Sequence, residues 1–468
     1  MARITFAIGG IHPSDSKISK DCKIEVLPVP ETVWISMAQH LGAPAKPVVA
    51  VGDKVKVGQV IAEPGGFISA FVHSSVSGTV KSIAPRKDLA GNCTVPHIEI
   101  AVEGDEWMEG IDTTDTLVTA IPEDKAEILA KIKACGVVGL GGATFPAHVK
   151  LAPAKPADYL ILNGAECEPY LTSDYRIMLE RTKEIVIGAA IMQKALGGCK
   201  CVIGIEENKP EAIKAMSAAV AELGYKNMEV LSLMKKYPQG GEKQLINAVT
   251  GREVPSGKLP ADAGCVVQNV ATSLAVYEAV QKNKPLITNT LTITGDCLPV
   301  EKQHNYLFRI GVPLSYIAEY AGGVPEAAAK IISGGPMMGK AIANLDATTV
   351  KGSSSLLYLS EAATKRNEGS ACIRCGKCAE ACPMGLEPFL LKRLATVGDT
   401  DSLEANAVQD CIECGCCLYS CPANIPLLDI IRPAKAQVMG IMRARAAAAK
   451  AAAEAAKAAA EAKNNENK

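Results

Sequence analysis

CIRCGKCAEACP at residues 372–383 and CIECGCCLYSCP at 411–422 are two copies of one pattern, C-x2-C-x2-C-x3-C-P. Three thiolates at that spacing can wrap three irons of one cubane. The fourth Cys, turned away before its Pro, reaches across to the neighbouring cluster. The pattern therefore predicts two [4Fe-4S] clusters with crossed ligands: Cys372, Cys375 and Cys378 with Cys421, and Cys411, Cys414 and Cys417 with Cys382. Zinc knuckles take paired C-x2-C units, and neither zinc nor a disulfide accounts for a Pro after each fourth Cys. Cys416 falls inside the second arm without being needed by its register, and is read as a bystander. The motif marks an electron carrier and leaves the direction of flow open.

Working outward, an Ala/Lys/Glu run fills 443–468. It favours helix but has no apolar stripe to bury, so it reads as a solvated extension. Before the Cys block, which with its flanks takes 360–435, comes a Ser-rich joint at Ser353–Ser355. A small α+β unit precedes it at 285–350. Residues 111–284 alternate strands (YLILNGAE, CVIGIEENK, MEVLSLM) with amphipathic helices, the texture of an α/β domain, whose ligands collect beyond the carboxyl ends of strands. Residues 1–110 are short β-branched runs between turns.

With 468 residues the chain is too long for one core, as expected from roughly 150 residues per domain. It carries 49 Lys and Arg against 50 Asp and Glu, so it offers no basic field for a phosphate backbone, and 4% aromatics give few stacking platforms. No nucleic acid partner is expected. No apolar run approaches the ~18–20 residues of a spanning helix, and the N-terminus, with Arg3 and a brief apolar stretch, lacks a signal-peptide core, so a cytoplasmic location is expected. The 17 Cys are too few for a disulfide scaffold and fit a reducing compartment.

Three polar segments of the α/β region stand together at predicted strand exits. GLGGATFP at 139–146 offers backbone N–H groups to an anion, with Lys150 beyond it. NGAECEP supplies Asn163, Glu166 and Glu168; YPQGGEK supplies Tyr237, Gly240, Gly241 and Glu242. Carboxylates beside a phosphate loop suit ribose hydroxyls, a carboxamide or a ring N–H, and the mixture fits a dinucleotide or a flavin.

Val-Gly-Asp at 51–53, Val-Gly-Gln at 57–59 and VSGTVKSI at 76–83 resemble the half-motifs of the lipoyl and biotinyl carrier fold, the barrel-sandwich hybrid. The hairpin GGFISAFVHSS has no Lys to modify, so a fold is implied and not a carrier. GLGGATFPAHVK, NGAECEP, GGEKQLI, VVQNVATSLAV and the two Cys arms, in that order, resemble the C subunit of the Rnf-type (Rsx-type) membrane electron transport complex, from GGIHP at Gly9 to the second arm. More distantly, the chain resembles the flavin-bearing NADH-oxidising subunit of respiratory complex I. The implied fold class is multidomain α/β and β: a barrel-sandwich hybrid, an α/β flavin-binding domain, an SLBB-like β-grasp domain and a ferredoxin-like domain with two [4Fe-4S] clusters.

The resemblance also implies cofactors and roles. Gly139, Gly141, Gly142 and Lys150 would hold the phosphate end of FMN, with Asn163, Glu166, Asn269 and Thr272 around the flavin. Phe145, Glu168, Tyr237 and Glu242 match NAD(H) contacts of the complex I relative. Leu140, Thr144 and Ala165 replace an Arg, a Gly and an Asp of that relative. Hydride would pass between nicotinamide and flavin with no side chain acting as acid or base, so no catalytic residue is assigned. The implied function is a peripheral NAD(H)-linked flavo-iron-sulfur subunit at the cytoplasmic face of the cell membrane. Its partners would be the other membrane and peripheral subunits, with ferredoxin reached indirectly. The alternative is a soluble cobalamin reductase of a bacterial microcompartment.

Overall fold

The computed structural model describes residues 4–466 apart from Ala90 and Asn92, with side chains as far as Glu454. The chain packs as two compact units, one of residues up to Ala7 with His12–Lys365, the other of Ile8–Ile11 with the chain from Arg366 onward.

In the first unit, the strands Thr32–Ser36, Thr94–Val102, Gly78–Lys87 and Lys54–Val55 form an antiparallel sheet in that order, beside a three-stranded sheet of Lys46–Pro47, Val60–Glu63 and Val72–His73. Alternation does the sorting, with Val33 and Ile35 turned fully inward. This is the barrel-sandwich part.

The α/β layer is a four-stranded parallel sheet in the order Met228–Leu233, Lys200–Glu206, Tyr159–Gly164, Cys265–Asn269. Both faces are covered, so alternate residues of one strand enter different cores. Leu160 and Leu162 join the core made by helices Lys125–Ala134, Thr182–Ala195, Pro210–Leu223 and Val270–Lys282. Ile161 joins the smaller core under helix Glu242–Thr250. The second strand adds on one side of the first and the fourth on the other. The order reverses there, and such a switch point opens a crevice at the carboxyl ends.

The third sheet runs Ile24–Val26, His304–Arg309, Thr288–Thr294, Ser355–Ser360, Ala328–Ser333, Lys340–Ala341. It draws in two strands from outside 285–350. One is the edge strand Ile24–Val26, paired in parallel with 305–307. The other grows out of the Ser-rich joint: Ser355 is buried because its hydroxyl donates to Gly334 O (2.8 Å) and accepts from Gly334 N–H (3.0 Å).

In the second unit each Cys arm enters a one-turn helix, Lys377–Glu380 or Cys416–Tyr419, and each is followed by a longer one, Pro388–Val397 or Leu427–Glu466. Leu391, Leu403, Val408, Leu427, Ile431 and Val438 make its core. The Ala-rich run is no separate element but the outer part of helix Leu427–Glu466, and its side chains are exposed from Arg443 to Glu454. Gly10 N–H donates to Ala381 O (3.0 Å), and at Gly9 (φ +65°) a Cβ would stand 2.4 Å from the Cys382 carbonyl. Only glycine allows that approach.

Candidate functional site

Asn163 and Asn269 are register partners at the carboxyl ends of adjacent parallel strands, astride the switch point. The Gly loop closes over them. Gly139 N–H donates to Phe145 O (2.8 Å), and Leu140 N–H donates to the Thr272 hydroxyl (2.9 Å). A Cβ on Gly141 would lie 3.0 Å from Asn269 Cβ, whereas one on Gly142 would meet nothing within 4 Å. Asn269 caps helix Val270–Lys282 through Ala271 N–H (2.7 Å), so the loop sits at that helix's N-terminus, where the dipole favours an anion. Thr144, at the place of a Gly in the complex I relative, keeps a left-handed backbone at φ +49°.

The acidic loop leaves the next strand. Glu166 holds φ +46°, and its Oε1 accepts from Asp174 N–H (2.8 Å). Its Oε2 is buried with no hydrogen-bond partner, 3.8 Å from Lys17 Nζ. Asn269 Nδ2 donates to Asp174 Oδ2 (2.7 Å), which ties the acidic loop to the Gly loop's support. Burial raises the Glu166 carboxyl. Burial, then the charge of Glu166, pushes Asp174 up to about 7.

Because the Asp174 value is raised in the fold, the stability it contributes is present below the unfolded value of 3.8 and is lost as pH rises through about 7. Asp174→Asn is therefore expected to raise the melting temperature at pH 8 and barely at pH 4. The pH 8 gain has an upper bound of about 4 kcal/mol, at 1.36 kcal/mol per unit. Equal effects at both pH values, by calorimetry, would contradict it.

Glu168 faces elsewhere: its carboxylate accepts from Met337 N–H (3.0 Å) and Met338 N–H (2.9 Å), with Tyr237 Oη at 3.5 Å. The third loop is bound to the first strand by Asn163 Nδ2 donating to Gly240 O (2.9 Å), and Gly240 N–H donates to Cys167 Sγ (3.3 Å). Lys150 and Glu242, assigned above to different ligands, form one ion pair at 2.5 Å. The structure thus joins Gly139, Gly141, Asn163, Glu166, Asn269 and Thr272 in one linked group. Glu168 with Tyr237 and Lys150 with Glu242 make two further pairs, Phe145 closes the loop, and Gly142 lies exposed on it.

Sequence reasoning missed two lysines under the acidic loop, Lys17 and Lys209. Lys209 Nζ donates to Ala165 O (2.7 Å) and lies 3.5 Å from the buried Glu206. No local pattern marks either one, because the loop carbonyls that each binds are distant in sequence.

The two Cys arms follow one backbone path. Arg374 (φ +59°) and Gly376 (+77°) in the first match Glu413 (+57°) and Gly415 (+79°) in the second, and Gly385 (+65°) matches Asn424 (+52°). These left-handed residues give both arms the same fold-back; in the second arm Cys414 is buried and Cys411 and Cys417 half-buried, while in the first Cys378 is half-buried and Cys372 and Cys375 are exposed. One apolar cavity is lined by Cys411, Cys414 and Cys417 together with Cys382 from the other arm, walled by Leu386, Leu391, Leu428 and Ile431. Cys378 and Cys421 lie within electrostatic reach of each other. Among the described residues no three His, Cys, Asp or Glu side chains stand at the spacing that holds a single metal ion.

Burial pushes the Cys411 thiol up to about 11 and the Cys417 thiol up to about 12. A dry pocket resists bare thiolates, and bound iron supplies the missing positive charge. Backbone N–H groups of Met384, Leu386 and Gly385 point at Cys382 sulfur and those of Phe389 and Ala379 at Cys378 sulfur. Such bonds orient ligands and tune potentials. Cys416, read as a bystander, is fully buried, lines the same cavity and hydrogen-bonds with Cys414. Lys435, also missed, donates to Cys411 O (2.7 Å) and braces the arm.

Four family patterns match the chain in order: the RnfC barrel sandwich hybrid domain at 5–106, the Nuo51 FMN-binding domain at 132–278, the SLBB domain at 291–341 and a 4Fe-4S dicluster domain at 364–422. Over 392 residues, 82% of this chain and 83% of the relative, it is 49% identical to the C subunit of the proton-translocating ferredoxin:NAD+ oxidoreductase complex of Clostridium ljungdahlii. The chain belongs to the RnfC family. Within that family it is also 43% identical to the C subunit of the Na+-translocating ferredoxin:NAD+ oxidoreductase complex of Acetobacterium woodii, over 93% of this chain and 97% of the relative. Identity to the C subunit of the ion-translocating oxidoreductase complex of Rhodobacter capsulatus is 42%, over 92% of this chain and 82% of the relative. The NAD+-reducing [NiFe]-hydrogenase in its air-oxidised state shares 20% identity at a TM-score of 0.47, over 63% of this chain and 57% of that one.

Membership in the RnfC family brings an FMN-binding domain and a two-cluster domain, and the residues present fit both groups. The Gly141 cradle and the Glu166 oxygen that accepts no hydrogen bond suit a flavin. The four-thiol cavity suits an iron-sulfur core.

Proposed function

We propose that this chain is the NAD(H)-linked flavo-iron-sulfur subunit of a membrane electron transport complex, passing electrons between NAD(H), FMN and two [4Fe-4S] clusters. The observation that carries it is the Gly139–Gly142 loop seated on Asn269 and Thr272 at the switch point, with a buried carboxylate oxygen of Glu166 that accepts no hydrogen bond beside it. A 49% identical relative named as part of such a complex favours this reading over a soluble cobalamin reductase. No helix among the described residues is long and apolar enough to cross a membrane. In this reading the chain is peripheral, at the cytoplasmic face, bound to the other subunits, exchanging electrons with ferredoxin through them and with no nucleic acid.

FMN held in this cradle supplies the conversion between a hydride pair and single electrons that the clusters require. The chain's own residues bind and orient. Backbone N–H groups of Gly141 and Gly142 would meet the phosphate, with Gly139 closing the loop on Phe145 O, and Asn163, Glu166, Asn269 and Thr272, tied to one another and to the loops by their own hydrogen bonds, would form the rigid wall around the ring. Glu168, held by Met337 and Met338 N–H, with Tyr237 and Phe145, would line the place of the nicotinamide nucleotide. Lys150, neutralised by Glu242, acts as a hydrogen-bonding arm and not as a free charge. Cys372, Cys375, Cys378 and Cys421 hold one cluster, and Cys382, Cys411, Cys414 and Cys417 the other.

Anaerobic NADH is expected to bleach both the flavin band and the broad cluster absorbance of the purified protein, and dithionite is expected to add little. Reduction by dithionite alone would remove NAD(H) from the scheme. Co-purification with integral membrane proteins from native membranes separates a membrane-complex component from the soluble reductase.

A further inference from the structure

The segment His12–Lys17 lies outside the α/β layer in sequence, yet it ends inside the flavin site. Lys17 Nζ donates to three backbone carbonyls of the acidic loop: Glu166 O (2.8 Å), Glu168 O (2.8 Å) and Leu171 O (2.6 Å). An ammonium has three donors and all three are spent, so Lys17 has none left for a ligand. Its charge nonetheless lies 3.8 Å from Glu166 Oε2, with the Lys17 side chain only 11% exposed.

The loop needs such an anchor. Glu166 (φ +46°) and Tyr170 (φ +71°) both hold left-handed backbone, which residues with a Cβ resist, within the stretch whose carbonyls Lys17 anchors. The same segment grips both neighbouring loops: Asp15 O accepts from Tyr170 N–H (3.0 Å), the Asp15 carboxylate pairs with Lys235 (2.7 Å), and His12 Nδ1 meets Lys235 O (3.1 Å). Glu168 rides on one of these loops and Tyr237 follows Lys235 on the other.

We propose that Lys17 is a positioning residue of the flavin and nicotinamide site, fixing the loop 163–171 that carries Glu166 and Glu168 and lending that site a buried positive charge. Neither role is legible from the Gly loop or the acidic motif alone, and Lys17, its three donors spent on the loop carbonyls, acts through the loop. The inference rests on the FMN reading above.

The test uses the full chain with clusters reconstituted, and begins with FMN affinity of the wild type by fluorescence quenching. A wild type that binds no FMN defeats the FMN reading itself and this inference with it. Given binding, Lys17→Met is expected to keep its iron content and circular dichroism while losing roughly tenfold to a hundredfold in FMN affinity, the loss that follows when groups orienting metal ligands are removed. Its flavin midpoint potential should fall, because a cation favouring the anionic reduced ring is gone, and KM for NADH should rise more than kcat falls. Lys17→Arg separates shape from charge: a planar guanidinium cannot converge on three carbonyls, so FMN affinity stays weakened while the potential recovers. Should Lys17→Met prove insoluble, Lys17→Arg decides alone. Wild-type FMN affinity, potential and KM in a soluble variant would overturn the proposal.

Discussion

Cys411→Ala is expected to delete one of two distinct [4Fe-4S] signals in electron paramagnetic resonance and to remove half of the bound iron. Cys382→Ala is expected to delete the same signal, although it belongs to the other arm. That coincidence follows from the crossed ligand set, since Cys382 lines one cavity with Cys411, Cys414 and Cys417. Cys378→Ala and Cys421→Ala form the second coupled pair, by the same crossing. Cys414 would be a poor choice for this experiment, because Cys416 lines the same cavity beside it and could offer a substitute thiol. The fold limits the damage: the core of Leu391, Leu403, Val408, Leu427 and Ile431 holds the unit together around the sulfurs. If Cys382→Ala instead removed the signal lost in Cys378→Ala, the arms would not cross and the ligand assignment would be wrong.

What could be read from the residues was what is local. Cysteines three or four apart, a proline after each fourth and a run of glycines state their geometry within a dozen positions. Parallel strands alternating with amphipathic helices were likewise legible, since each element carries its own period. The rest depends on contacts between distant segments. Lys17 bonds residues about 150 positions away, and nothing in KISK distinguishes it from a solvated lysine. Ile24–Val26 has no local partner and is completed only by pairing with 305–307. Ser353–Ser355 looked like a linker because serine is usually exposed, but Ser355 begins a buried strand once Gly334 takes both of its hydroxyl's bonds. Lys150 and Glu242 were read separately for the same reason, and their ion pair became visible only in three dimensions.

Gly141→Val is expected to leave the protein soluble and fully loaded with iron but without FMN. At Gly141 even a single Cβ would stand 3.0 Å from Asn269 Cβ, closer than side chains normally pack, and valine adds two methyl groups. Either the loop lifts away from the switch point or Asn269 moves. Movement of Asn269 releases Asp174 Oδ2 and uncaps helix Val270–Lys282, at a cost of about 1 kcal/mol for the cap. Lifting of the loop breaks the bond from Leu140 N–H to Thr272 and withdraws the backbone N–H groups from the helix N-terminus. Both routes dismantle the cradle and neither reaches the cluster unit, which has its own core. Supernatant fluorescence after denaturation should therefore show FMN in the wild type and none in the variant. Dithionite should still reduce the variant's clusters, and NADH should not. Gly142→Ala is the control: a Cβ there meets nothing within 4 Å, so only the backbone strain at φ +139° opposes it, and a smaller loss of flavin is expected. Stoichiometric FMN in Gly141→Val would show that the flavin is held somewhere other than the carboxyl ends of these strands.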